Sequence, residues 1–184
     1  MKVVIVNGAA ASGKDTFVAF CEAALGSGVS VTKTSMVDAA KDAARYLGWD
    51  EQKTLKNRKF LSNLKDLIDE WGDISYKWVK DNIIDQEYEE SIACGDKEEP
   101  WVFVMAREPD DIDRLKKDLN ASSVCVRRKE AEDAPTSNHA DACVLMANYD
   151  YYIDNNGTIE DLKKAAETFV KLVKENEFTY VRSN

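Results

Sequence analysis

The 184-residue chain has a single histidine, His139, and four cysteines among which no C-x-x-C pair occurs. Cys21, Cys94, Cys125 and Cys143 are far apart and no histidine spacing accompanies them, which excludes the usual structural zinc patterns. Cys21 and Cys125 lie in apolar segments, so the four are expected to be reduced and mostly buried thiols. No apolar run approaches the length of a membrane span, and Val3 to Val6 is too short for a signal-peptide core. A cytoplasmic protein with no membrane partner is therefore expected. Positive charge is in deficit, 25 Lys and Arg against 34 Asp and Glu, a formal net charge of −9. That balance argues against a nucleic-acid polymer as partner and favours a small anionic ligand met by a local basic cluster. There is no internal repeat or low-complexity tract, and the length fits one domain, as monomer or homodimer.

What is present begins at the amino terminus. Lys2 to Asn7 is β-branched and apolar, the pattern of a central parallel strand, and Phe17, Phe20, Cys21 and Leu25 follow at helical spacing. Between them stands Gly8-Ala9-Ala10-Ala11-Ser12-Gly13-Lys14-Asp15-Thr16. Glycines at both ends let backbone N–H groups turn inward, and a helix start adds favourable potential for anions, so strand, loop and helix together make a polyphosphate cradle. ATP is the expected cofactor, contacted by Gly8, Ala11, Ser12, Gly13, Lys14, Asp15 and Thr16, with Lys14 on the β- and γ-phosphates. The hydroxyl that ordinarily follows the lysine is displaced to Thr16, and Asp15 takes its place. Asp15 and Thr16 are the candidate Mg²⁺ side of the site; Asp15 also suits a positive helix end without any metal.

Five strand candidates, residues 2–7, 29–35, 101–106, 122–127 and 150–154, alternate with helical patterns and imply a parallel α/β sheet. After the second strand, Phe60, Leu61, Leu64, Leu67, Ile68 and Trp71 form a helical stripe, and a further helix is expected over residues 75–93. The last helix is expected to start at Thr158, capped with Asp161, and to bury Ile159, Leu162, Ala166, Phe169 and Val173. The polar stretch from Arg127 to Asn138 reads as a mobile loop.

Candidates opposite the phosphate loop are basic or carboxylate. Ser35, Asp38, Lys41, Arg58, Lys65 and Arg107 are placed on the acceptor side, with Arg107 just beyond the third strand, where open α/β sheets bind ligands. Asp38 reads equally as a group orienting an acceptor and as a helix-cap residue. Arg127 and Arg128 begin the loop suited to closing over transferring phosphate. Lys14, Asp15, Asp38, Arg107 and Arg128 are the candidate catalytic set. The third strand lacks a terminal aspartate of the kind that usually supports Mg²⁺. Tyr76, Trp78 and Trp71 offer a stacking surface for a base, although aromatics at helical spacing more often form core.

Residues 8–16, Arg58-Lys59-Phe60-Leu61-Ser62-x-Leu64-Lys65, Arg107-Glu108-Pro109 and Asn148-Tyr149-Asp150-Tyr151-x-Ile153-Asp154-Asn155-Asn156-Gly157-Thr158 together resemble the deoxynucleoside monophosphate kinases of phages and bacteria. The Gly-Lys-Asp variant is also similar to animal-type phosphomevalonate kinases, and the plan to dephospho-coenzyme A kinase and adenylate kinase. The resemblance implies a three-layer α/β/α P-loop nucleoside triphosphate hydrolase fold with a five-stranded parallel sheet. Within one domain it implies a core over 1–35, 96–126 and 148–184, an acceptor-binding helical region over 36–95 and a short lid over 127–147. It places Asn156 and Gly157 beside the adenine and implies γ-phosphoryl transfer from Mg·ATP to a nucleoside or deoxynucleoside monophosphate. Two alternatives remain at this stage: a phosphomevalonate or dephospho-coenzyme A kinase-like enzyme, and an ATP-sensing module without phosphotransfer. The lid lacks the spaced arginines of adenylate kinase, and no D-G-x-P-R signature marks an acceptor site.

Overall fold

The structure, a computed structural model, describes residues 1–52, 54–94, 98–133, 144, 146–176 and 178. Its centre is β1 (Lys2–Asn7), buried at every position because apolar side chains project from both faces of the strand. Val3 and Ile5 enter one core, Val4 and Val6 the other, as the period of two in a strand requires. β3 (Trp101–Met105) and β4 (Ser122–Arg127) flank it in parallel, and β2 (Val31–Ser35) and β5 (Tyr151–Asp154) complete the order β2-β3-β1-β4-β5. The outer strands are only partly covered, consistent with edges: Lys33 of β2 reaches out to Glu22 at 2.6 Å.

Helices cover both faces, giving the three-layer α/β/α fold. On one side lie α1 (Lys14–Leu25) and α8 (Ile159–Glu175), joined over β1 and β4 by Phe17 and Phe169, whose rings are 5.3 Å apart. The Thr158–Asp161 capping box starts α8, which buries Leu162, Ala166, Phe169, Val170 and Val173; Ile159, expected inside, is 53% exposed. On the other side α6 (Pro109–Leu119) buries Ile112, Leu115 and Leu119 at spacings of three and four. Beside it α4 (Ile74–Val79), a π-helical turn at Lys80–Ile84 and α5 (Asp85–Cys94) occupy the path expected of one helix. The crossover from β2 adds α2 (Asp38–Tyr46) and α3 (Leu55–Gly72).

Three local features add detail to the sequence pattern. α3 forms, with Thr54 as its cap, yet none of its residues is fully buried: Leu61, Leu64 and Ile68 are half-covered, while Leu67 and Trp71 face outward. Helical periodicity sets the stripe; α2 and α4 pack most closely beside it. Cys94 is exposed, unlike Cys21 and Cys125; burial pushes those thiols up to about 12 and about 11. Arg127 ends β4, and a short α7 (Lys129–Glu132) occupies the start of the expected mobile loop; its residues 134–138, Cys143 and His139 lie outside the described residues. Among the described residues no helix is long and apolar enough to cross a membrane.

Entry into β5 is fixed by Asp150. Its Oδ2 accepts from the Ser123 backbone N–H and hydroxyl, both at 2.8 Å, and its Oδ1 meets Lys116 Nζ at 2.9 Å. Partial burial pushes this carboxyl up, but Lys116 and the Ser123 donors outweigh it and hold the group below the ordinary carboxylate range. Asp150→Ala leaves the buried Ser123 N–H unpaired and is expected to cost about 1–3 kcal/mol in denaturant unfolding at neutral pH. A depressed folded pKa stabilises above the unfolded value of about 3.9 and ceases to do so as pH falls through the folded value. Wild-type and variant stabilities should therefore converge in acid.

Candidate active site

β1 leaves the sheet where the connections diverge: the chain runs first to β2 and β3 on one side, then crosses to β4 and β5 on the other. Ligands of open α/β sheets bind outside such a switch point. Here stands the loop of residues 8–13. Gly8 has φ +147°, and a Cβ on it would lie 2.3 Å from the Val126 carbonyl oxygen and 2.6 Å from Ser12 Oγ. Gly13, φ +96°, occupies the N-cap of α1, and a Cβ there would lie 2.4 Å from Asn155 Nδ2. Both glycines are thus favoured by backbone angle, and Gly8 is required also by its close approach to a backbone carbonyl.

The loop interior is polar and prepared for an anion. Ser12 is fully buried, and its Oγ has no hydrogen-bond partner among the described residues. Lys14 folds back so that its Nζ donates to the carbonyls of Gly8 and Ala9, each at 2.7 Å. An orphaned hydroxyl, a lysine holding loop carbonyls and the N-terminus of the twelve-residue α1 fit a polyphosphate. Ala11, at φ 64°, is exposed, as are Asp15 and Thr16 in the first helical turn. Among the described residues no group of three or more His, Cys, Asp or Glu is arranged around a metal. Asp15 and Thr16 still suit Mg²⁺, which is commonly held by one or two protein groups together with substrate phosphates.

Where the acceptor side is expected, Asp38 Oδ2 accepts from Ser35 N at 2.7 Å and Thr34 Oγ1 at 3.2 Å, while Oδ1 pairs with Lys41 at 2.7 Å. Asp38 thereby pins the turn from β2 into α2, with Ser35 Oγ donating to the Met105 carbonyl. Arg58 is exposed on α3, and Arg107 is half-buried beyond β3. Lys65 is only 12% exposed and lies among Asp69, Asp111 and Glu108 at 3.0, 3.2 and 3.4 Å, tying α3 to the start of α6. Burial works against its charge, but Asp111, Asp69 and Glu108 outweigh it and raise the ammonium above the ordinary lysine value. Burial in turn raises the Asp111 carboxyl despite Lys65, whose contact with Oδ2 is one of charge rather than a well-aligned hydrogen bond.

Where the lid is expected, Arg127 forks onto Glu132 at 2.9 and 3.2 Å, and Arg128 meets Glu130 at 2.9 Å. Asn156 Oδ1 accepts from the Lys129 N–H at 2.9 Å, and Gly157 leads into the α8 capping box. The proposed base-stacking aromatics do not form one surface. Tyr76 is buried, donates to Asp118 at 2.9 Å and lies under the Arg114 guanidinium at 3.5 Å; Trp78 packs on the core; Trp71 is 87% exposed.

No family model matches the chain, and no curated protein matches it. Among solved structures it is similar to a cysteine-to-alanine mutant of the APS kinase of Mycobacterium tuberculosis, at 15% identity over 95% of this chain and 97% of that one, with a TM-score of 0.43. It is similar also to an unliganded sugar kinase from Janibacter, at 14% identity over 93% and 95%, again with a TM-score of 0.43. Likenesses this distant say nothing of activity or substrate.

Three residues absent from the sequence-based set join the site. Buried Asn7 accepts from Gly8 N at 2.7 Å and donates to the Arg107 carbonyl at 3.1 Å and to Tyr149 Oη at 2.6 Å; Tyr149 in turn donates to the Val144 carbonyl. Asn155 donates to the Ser12 carbonyl at 2.8 Å. A polar residue closing an otherwise apolar strand was the one available signal, at Asn7. Lys65→Met should separate structure from ligand binding: it leaves three carboxylates facing each other and is expected to cost about 1–3 kcal/mol of unfolding free energy without any ligand present. Unchanged stability would assign Lys65 to the ligand instead.

Proposed function

We propose that the chain is an ATP-dependent kinase transferring the γ-phosphoryl group to a phosphorylated small molecule, a nucleoside or deoxynucleoside monophosphate. The observation that carries this reading is the loop at residues 8–14, with its unpartnered buried Ser12 hydroxyl and its inward Lys14 ammonium at the carboxyl end of β1. On ATP binding Lys14 exchanges the Gly8 and Ala9 carbonyls for phosphate oxygens, gaining charge-assisted hydrogen bonds. Mg²⁺, held on the Asp15 and Thr16 side, would neutralise charge on the transferring group. The acceptor phosphate is already anionic and needs no strong base, which agrees with the full engagement of Asp38. One of its oxygens bonds to the γ-phosphorus as the bond to the β-phosphate oxygen breaks, releasing ADP. Arg107 is assigned to the acceptor side, and Arg127 and Arg128 to the closing side, exchanging their glutamate partners for phosphate.

A second reading keeps the chemistry and changes the acceptor. Tyr76 and Trp78 are committed to the core, which favours an acceptor without a stacked base, such as phosphomevalonate or dephospho-coenzyme A. Both readings are tested by ADP release from Mg·ATP with a panel of nucleoside and deoxynucleoside monophosphates, phosphomevalonate and dephospho-coenzyme A. Acceptor-dependent release is expected, falling on the order of a hundredfold or more in Lys14→Ala. ATP bound without release across the panel would point to a nucleotide-sensing module.

A further inference from the structure

We infer that Asn155 is a positioning residue for the phosphate loop, holding its Ser12–Gly13 segment in register with the turn between β5 and α8. This rests on the loop being a polyphosphate site. Asn155 is anchored on its own side by its backbone N–H, which donates to the Arg127 carbonyl at 2.7 Å where β4 ends. From that point its side-chain amide reaches across the chain and donates to the Ser12 carbonyl at 2.8 Å.

The approach is possible because residue 13 is glycine: a Cβ there would stand 2.4 Å from Asn155 Nδ2. The amide therefore occupies the space a side chain at position 13 would fill, and holds the Ser12 carbonyl. Turning that carbonyl toward Asn155 keeps the Ser12–Gly13 peptide from rotating, so the Gly13 N–H keeps one orientation. A loop whose peptide planes are fixed before the anion arrives loses less freedom on binding. The next residue extends the same junction, since Asn156 Oδ1 accepts from Lys129 N at the start of α7. The phosphate loop, the end of β4 and the start of α7 thus meet at two adjacent asparagines.

The test uses ATP and inorganic tripolyphosphate as probes, with affinity measured by calorimetry and the ligand-free thermal midpoint recorded for each variant. Asn155→Ala removes the donor; Asn155→Asp keeps the shape but sets a carboxylate against the Ser12 carbonyl and the bound phosphates. Affinity for both probes is expected to fall about tenfold in Asn155→Ala and further in Asn155→Asp, the excess loss shrinking with added salt. The ligand-free midpoints of the two variants should be close to each other, which separates positioning from general destabilisation. Affinities within about twofold of wild type, or losses that follow the ligand-free midpoint with no dependence on charge or salt, would overturn the assignment. If wild type and Lys14→Ala bind tripolyphosphate equally, the phosphate-site reading itself fails and Asn155 loses its role with it.

Discussion

The carboxyl edge of the sheet depends on how closely the loop after β1 lies against β4. At Gly8 the backbone passes so near the Val126 carbonyl that only a hydrogen fits, and the space left over is taken by Ser12 Oγ. From that contact the remaining geometry follows in short steps. Ser12 is enclosed and cannot reach solvent, its carbonyl turns outward to Asn155, and Gly13 adopts the left-handed angle that starts α1 with Lys14 beneath the loop. The same end of β4 supports the opposite wall, because the Arg127 carbonyl accepts from Asn155. One strand end therefore carries both the loop and the turn that faces it.

Electrostatics sorts the basic residues around this cleft into two kinds. In a chain with nine more acidic than basic groups, cations near an anion site are held by the protein's own carboxylates. Arg128 is held loosely, with its partner Glu130 open to water, and exposed pairs of this sort contribute about 0–1 kcal/mol each, whereas Arg127 forks onto a partly covered Glu132 and Lys41 pairs with a partly covered Asp38. Exchanging such a partner for a phosphate is therefore cheap. Lys65 is different: nearly enclosed and surrounded by three carboxylates, it gives up far more if withdrawn. Its position on a basic helical stretch looked the same in sequence as those of Arg58 and Lys59, and only the fold separates them.

What the sequence made legible is what local chemistry decides. The apolar run of β1, the glycines of the loop and the Thr158–Asp161 cap each act within a few residues, and each stands where the spacing put it. Contacts closed over long separations were not legible. Asn155 meets Ser12 across 143 positions, and Asn7 meets Tyr149 across 142, so neither pairing leaves a local pattern. The apolar stripe of α3 forms a helix as its spacing predicts, but periodicity tells which side chains share a face and not whether a partner covers that face. Tyr76 shows the converse, a residue with a plausible ligand role whose ring and hydroxyl are both taken by α6.

The two halves of the cleft differ physically as well as in legibility. The phosphate loop is held by buried strands on both sides, by Asn7 below and by Asn155 across, so its geometry is over-determined. By contrast α3 has no fully buried residue and is tied to α6 through the Lys65 cluster. Segments with little buried apolar contact have the lowest local stability and are the ones that move on binding. The loop is thus the rigid half and α3 the lightly held half. The first half is specified by short-range sequence and reads clearly. The second depends on long-range contacts such as those of Lys65 with Glu108 and Asp111, and for that reason the loop is easier to read from sequence than the surroundings of α3.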